Sequence, residues 1–184
     1  MDPAVAQEML RTLNETNVTN TIHNELYDAL LPSRHEFSQA GKVVLVTGGG
    51  TGVGNSIARS FVQASADTVI IVGRRLDILT AAASDLEREA QETGTGTKII
   101  ARKCDLVDSA DVEDLWKDLA SRGITVDIYV ANAAKFTEPK PMLELGADEV
   151  WSQVEVNVKA PLYFAEKFCS QPGDKQKVKF SNSI

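Results

Sequence analysis

Twelve residues, Val43-Val-Leu-Val-Thr-Gly-Gly-Gly-Thr-Gly-Val-Gly54, constrain this chain more than any other stretch. Val43 to Val46 is apolar at every position, as a strand buried on both faces of a parallel sheet requires. Thr47 and a cluster of glycines end that run. Val53, Ile57, Phe61 and Val62 then recur at helical spacing and predict a helix from Gly54 to Ser65 with these residues on its apolar face. A glycine cluster alone marks only a turn. Set between a strand and a helix, it becomes informative.

The positions of the glycines have physical reasons. Gly48 lets the backbone turn sharply off the strand, through a region where a Cβ would clash. Gly52 removes a side chain where a pyrophosphate would approach the backbone, and Gly54 lets the helix sit close to the strand. The free N–H groups of the first helical turn, Val53 included, and the positive end of the helix dipole face the same place. Thr51 adds a hydroxyl donor. A tight glycine turn with no ligand remains the other reading.

Past this unit the alternation continues. Asp67 to Gly73 reads as a second buried strand, and Leu79, Ala83, Leu86 and Ala90 as the buried face of a helix that stops at Thr93-Gly94-Thr95-Gly96. Lys98 to about Cys104 is a third strand. Val112, Leu115, Trp116 and Leu119 mark a helix from Asp108 that closes at Arg122-Gly123. Thr125 to Val130 is the fourth strand, and residues 133 to 145 form a loop with two prolines. A last helix starts near Asp148, with Trp151, Val154 and Val158 on its apolar side. Strands alternating with helices imply an α/β, Rossmann-like, doubly wound parallel sheet in three layers. Right-handed crossovers give the order 3-2-1-4, with four to five strands present. The predicted organisation is an N-terminal extension over residues 1–40, a nucleotide-binding domain over 41–170 and a polar tail over 171–184. In the extension, Val5, Met9 and Leu13 suit a short helix, Asn and Thr between Asn14 and Asn24 favour turns, and Tyr27 to Phe37 reads as a strap.

The spacing Thr47-Gly48-x-x-x-Gly52-x-Gly54 resembles the short-chain dehydrogenase/reductase family, over residues from about 41 to about 168 and with fungal-type members the nearest in pattern. The resemblance implies a nicotinamide cofactor and hydride transfer between a small-molecule ketone and alcohol. Val72-Gly73-Arg74-Arg75 ends the second strand, where an acidic residue would accept hydrogen bonds from a ribose 2′-hydroxyl. Arg74 and Arg75 instead suit a 2′-phosphate, by forked charge-assisted bonds, and favour NADP(H) over NAD(H). The resemblance places Asp105 on the adenine amino group, with the backbone of Leu106 sharing the contact. A turn or N-cap role for Asp105 fits equally. Ala131-Asn132-Ala133-Ala134 is similar to the family's Asn-Asn-Ala-Gly, with departures at Ala131 and Ala134. Asn132 would brace the sheet, and Ala133 would let the cofactor ribose approach.

Asn157 matches the active-site asparagine of the family's Asn-Ser-Tyr-Lys tetrad. Pro161 has no N–H to return to the Asn157 carbonyl, which is thereby freed for a water in a proton relay. Tyr163-Phe-Ala-Glu-Lys167 has the family's Tyr-x-x-x-Lys spacing, but it lies six residues past Asn157 and before any fifth strand. It is expected not to be the catalytic pair. The tail Gln171 to Ile184 is polar, Val178-Lys-Phe-Ser is a poor fifth strand, and Ser181 and Ser183 stand near the expected catalytic serine. The expectation is therefore a chain truncated before its catalytic Tyr and Lys, with an apolar open edge on its fourth strand. The alternative is a nucleotide-binding module without turnover, or an inactive product.

A net charge of −7 argues against nucleic acid or an anionic membrane as partner, so a bound phosphate must be held by local donors. Cys104 and Cys169 lack metal-ligand spacing and read as plain buried thiols; His23 and His35 lie outside every motif. With no basic and apolar leader, a cytoplasmic protein is expected. Homo-oligomerisation through the helix of Asn157 is a further implication of the resemblance.

Overall fold

Parallel strands need a crossover between them, and a helix after each strand supplies it. A computed structural model of the chain describes Gln7, Arg11 and residues 26–172 and 178–181, the last four by their backbone. Residues Met1–Leu31 form one unit and Pro32–Ile184 another. In the first, Asp28–Leu30 is a single 3-10 turn. Of the helix expected within the first 13 residues, Gln7 and Arg11 are helical, while Val5, Met9 and Leu13, the Asn/Thr-rich turns after it, and Ser183 lie outside the described residues.

The second unit runs β1 (Val43–Thr47), α1 (Gly52–Gln63), β2 (Thr68–Gly73), α2 (Leu76–Thr93), β3 (Lys98–Lys103), α3 (Ser109–Ser121) and β4 (Ile128–Ala131). It continues with α4 (Met142–Leu145), α5 (Ala147–Val154), a π-helical turn over Glu155–Lys159, α6 (Ala160–Cys169) and β5 (Val178–Ser181). The sheet is parallel throughout, in the order β3-β2-β1-β4-β5. The expected 3-2-1-4 order is present, and β5 extends it. Ile128↔Val178 to Ala131↔Ser181 pair β4 with β5, so the fourth strand has no open edge, contrary to expectation.

Alternation along the strands sorts the core into two layers. Val44, Val46, Val69, Ile71, Ile128 and Val130 face α1 and α2, meeting Ala58, Val62, Leu79, Ala83, Leu86 and Ala90. Leu45, Ile70, Val72, Tyr129 and Ala131 face α3 and α6, meeting Leu115, Trp116, Leu119, Phe164 and Phe168. Each large apolar side chain so buried contributes about 1.5–3 kcal/mol. Helix ends are set locally. Asp108 caps α3 by accepting from Ala110 N at 2.8 Å. Gly94, at φ 66°, ends α2 in the left-handed region.

Several boundaries differ from the sequence reading. Helix α1 begins at Gly52 rather than Gly54 and ends at Gln63, because Ser65 turns into the left-handed region at φ 61°. Val53, expected on its buried face, is 63% exposed, since the first turn projects beyond the sheet. Strand β4 starts at Ile128 because the Gln171 side chain takes both backbone groups of Val126, at 2.8 and 3.2 Å. The loop over 133–145 contains the turn α4. Trp151, Val154 and Val158 turn outward, all exposed, and the helix instead buries Ala160, Phe164 and Phe168. Cys104 is buried as expected, but Cys169 is exposed.

Candidate functional site

The carboxyl ends of β1, β2 and β4 converge, and the glycine turn fills the space between them. Gly48 leaves β1 at φ 68°, with its N–H donating to Val72 O at 2.7 Å, which ties the turn to β2. Gly54 is the tightest point. A Cβ there would stand 2.3 Å from Gly48 O and 2.5 Å from Asn132 Nδ2. Gly52 is the opposite case: its φ is 55°, and nothing lies within 4 Å of where a Cβ would be. One glycine is required by contact and the other by conformation, and the second leaves open space above backbone.

That open space faces unused donors. The first α1 bond of the ladder is Asn55 N to Thr51 O at 3.3 Å, so the N–H groups of Gly52, Val53 and Gly54 precede it and stand free of it. Thr51 is the N-cap, yet its hydroxyl caps nothing and is exposed. Asn55 Nδ2 braces the turn from below by donating to Gly49 O at 3.4 Å. Gly49 is also sterically fixed, since a Cβ would reach within 2.7 Å of Ile71. The roles of Asn55 and Gly49 escaped the sequence reading; the glycine triplet was the only signal for them.

Thr47 joins β1 to the end of β4. Its buried hydroxyl donates to Val130 O at 3.2 Å and accepts from Asn132 N at 3.1 Å and Ala133 N at 3.2 Å. Asn132 Nδ2 returns a bond to Thr47 O at 2.9 Å. Asn132 therefore braces the sheet edge as its motif implied, and Ala133 lies against Gly48. The next residues extend the brace. Asn157 Oδ1 accepts from Lys135 N at 2.8 Å, and its Nδ2 donates to Lys135 O at 2.9 Å. The Lys135 ammonium reaches Glu149 Oε2 at 3.1 Å and Ser152 Oγ at 2.6 Å. Lys135 carried no motif and was missed.

Around Asn157 the helix widens by one residue. Ala160 N–H donates five residues back, to Glu155 O, and Pro161 has no N–H to give the Asn157 carbonyl. The π-turn is the local consequence of that proline, and such turns often mark functional sites.

Arg74 and Arg75 follow β2, exposed beside the turn. Each arginine from Arg34 onward is ion-paired except these two: Arg34 with Glu36, Arg59 with Glu89, Arg88 with Asp85, and Arg102 and Arg122 with Asp118. Asp105 lies next along the sheet edge, reached through Cys104 N to Gly73 O at 2.9 Å. Its Oδ1 accepts from Val107 N at 3.2 Å, a turn-forming role, while Asp111 holds its N–H at 2.9 Å. Leu106 packs against the α3–α6 layer. Burial, with Asp111 and Asp105 nearby, pushes the Cys104 thiol up to about 12, so it is not a nucleophile.

Tyr163 and Lys167 are elsewhere engaged. Glu113 Oε1 on α3 accepts from Tyr163 Oη at 3.1 Å and from Lys167 Nζ at 2.9 Å. Among the described residues no group of His, Cys, Asp and Glu is placed to hold a metal, and no helix is long and apolar enough to cross a membrane.

Fold and edge together define a dinucleotide-binding α/β protein: a glycine turn, a helix N-terminus and a strand-order reversal at β1/β4. The family model for short chain dehydrogenase matches residues 42–177, and the chain belongs to that family, whose members bind NAD(P). The short chain dehydrogenase pigC of Monascus ruber is 28% identical over 166 residues, 90% of this chain and 54% of that protein. The short chain dehydrogenase/reductase AacuD of Aspergillus aculeatus is 30% identical over 150 residues, 82% of this chain and 50% of its own length. A metagenomic short-chain oxidoreductase in complex with NADP superposes with a TM-score of 0.62 at 26% identity, covering 71% of this chain and 55% of that one. The chain spans about half the length of the curated relatives it matches.

Proposed function

We propose that this chain binds NADP(H) and forms the cofactor-binding part of an oxidoreductase acting on a small-molecule ketone/alcohol pair. The observation that carries the cofactor choice is the pair Arg74 and Arg75, left without a carboxylate partner while the other arginines from Arg34 onward are ion-paired. A 2′-phosphate gives these guanidinium groups the anion they lack. The cradle fits the remainder: the open space over Gly52 and the free N–H groups of Gly52, Val53 and Gly54 suit a pyrophosphate, and the unused Thr51 hydroxyl adds a donor. Gly48, Asn132 and Ala133 would border the ribose of the nicotinamide half. Asp105 and Leu106 would border the adenine.

When bound, the nicotinamide supplies or accepts a hydride. Asn157 serves the reaction by position. Its side chain fixes the backbone of Lys135, and its carbonyl, without the donor that Pro161 lacks, would hold a water that passes a proton. Tyr163 and Lys167 have no part in this reading, because Glu113 engages both. That engagement favours a second reading, nucleotide binding without turnover by this chain.

Fluorescence titration with NADPH and NADH separates the possibilities. Replacing Arg74 and Arg75 with Ala should weaken NADPH roughly 30-fold or more, about 2 kcal/mol, and leave NADH nearly unchanged. Equal losses for both cofactors would remove the 2′-phosphate assignment. Turnover of a carbonyl substrate by this chain would exclude the second reading.

A further inference from the structure

Strand β3, which lies beside β2, ends in a cation that no motif marks. Alternation along β3 is fixed on both faces. Ile99 and Ala101 pack into the α1–α2 layer, while Arg102 turns the other way and pairs with Asp118 of α3 at 2.8 Å. Lys103 therefore points to the α2 side, at the carboxyl end of the strand, and is exposed. The lysines from Lys117 to Lys167 are each ion-paired, whereas Lys103, like Arg74 and Arg75, has no carboxylate partner among the described residues.

Lys103 pairs in register with Gly73 of β2, and Cys104 N donates to Gly73 O at 2.9 Å. Neighbouring strands stand about 5 Å apart, so Lys103 runs alongside the residue that leads into Arg74 and Arg75. Gly73 shares the face of Lys103, since Ile71, two residues earlier, packs into the α1–α2 layer. The fold does not require a glycine there. Its φ lies outside the left-handed region, and a Cβ would meet Leu79 at 3.6 Å and beyond, an ordinary contact. Gly54 is required by contact and Gly52 by conformation, but Gly73 by neither. A glycine kept in a strand without those needs leaves bare backbone where a ligand can come close.

We propose that Lys103 is a specificity-determining residue of the nucleotide site, its ammonium meeting the 2′-phosphate beside the bare backbone of Gly73. The proposal rests on the NADP(H) reading above and adds to it a residue from the neighbouring strand. Three cations suit the charge to be held. A phosphate monoester carries about −1.5 to −2 at neutral pH. Asp77, in the first turn of α2, and Asp105, just past β3, stand at the same edge and repel it. Lys103 offsets that repulsion as a point charge, while the arginines supply the forked hydrogen bonds.

Equilibrium binding of NADPH, NADH and adenosine 2′,5′-bisphosphate to the full chain is the measurement. Lys103→Met should weaken NADPH and the bisphosphate about five-fold and leave NADH unchanged. Lys103→Arg keeps the charge and should keep most of the NADPH affinity. Lys98→Met is the control, because it removes the same charge from the far end of the same strand and should change nothing. NADPH affinity untouched by Lys103→Met, with the arginine pair still selective, overturns the proposal and leaves the NADP(H) reading standing. Equal losses for NADPH and NADH also overturn it, since Lys103 would then support the edge rather than read the phosphate. So does an equal effect of Lys98→Met, which would mark the loss as one of net charge. If Arg74→Ala with Arg75→Ala fails to separate the two cofactors, the NADP(H) reading itself falls, and this proposal falls with it.

Discussion

The two layers on either side of the sheet are built from different side chains. The α1–α2 layer meets the sheet through Val, Ile, Leu and four alanines, Ala58, Ala82, Ala83 and Ala90. The α3–α6 layer meets it through rings. Tyr129 stacks on Phe164 with centroids 5.7 Å apart, Phe168 lies 6.0 Å from Tyr129, and Trp116 meets Phe164 edge-on at 6.1 Å. Small residues permit backbone-to-backbone approach, and the glycine turn depends on it. Aromatic residues fill volume with few shapes, and among them the Trp116 indole Nε1 is buried with no hydrogen-bond partner. The first layer is specified to a fraction of an ångström where the glycine turn stands. The second is specified by volume.

The sharpest way to break that contrast is at Gly54. A single methyl there meets Gly48 O and Asn132 Nδ2 well inside contact distance, and both belong to the braced edge. Gly54→Ala should unfold the domain or abolish nucleotide binding, a loss of about 3 kcal/mol or more. Gly52→Ala is its control. It meets no atom, so only the left-handed conformation is strained, by about 1–2 kcal/mol. Urea unfolding distinguishes the two, and equal destabilisation would contradict the contact argument.

On the other layer, Phe164→Ala removes a ring with no exposure that touches both Tyr129 and Trp116. The expected cost is about 3–5 kcal/mol, set by the transfer of the ring and the hollow it leaves. NADPH affinity of the folded fraction should be unaltered. A matching loss of affinity would mean that the two layers are coupled more tightly than the contacts imply.

Thr47→Val tests the seam between the layers at smaller scale. The shape is kept, but Asn132 N and Ala133 N lose their acceptor inside the structure. About 2 kcal/mol should be lost. Amide exchange at residues 132 and 133 should accelerate more than at the centre of β1, and uniform acceleration would show the hydroxyl to be dispensable.

The same contrast explains what the sequence disclosed. Glycine spacing and unbroken apolar runs are local, so the turn, the strand order and the arginine pair could be read from neighbours in the chain. The bonds that fix the edge join residues far apart, as Thr47 to Asn132 and Lys135 to Asn157 do, and composition carries no trace of such pairings. Periodicity misled at Trp151, Val154 and Val158, where it gives an apolar stripe but not the direction in which the stripe points. The fifth strand was underrated because Lys179 interrupts its apolar run, although a strand at the sheet edge tolerates that interruption.

The smallest predicted effect concerns Glu113, where α3 and α6 are joined by charge at the surface. Hydrogen bonds from Lys167, then Lys117 and Tyr163, hold its carboxyl down to about 2 from an ordinary 4.5. A folded value below the unfolded one means that the folded state binds fewer protons across that interval. The contribution to stability is therefore complete above about 4.5 and is lost as pH falls towards about 2. Lys167 is shifted upward by the same contact, so its share is present below 10.5 and is lost only as pH rises through its elevated value. Glu113 is exposed to solvent, and screening keeps the effect small. Thermal unfolding of wild type and Glu113→Gln should differ slightly at pH 7, and the difference should close between pH 5 and pH 2. A gap that widened on acidification would mean that the carboxylate opposes the docking of α6 on α3, and that the two lysines gather around it only because they are tethered nearby.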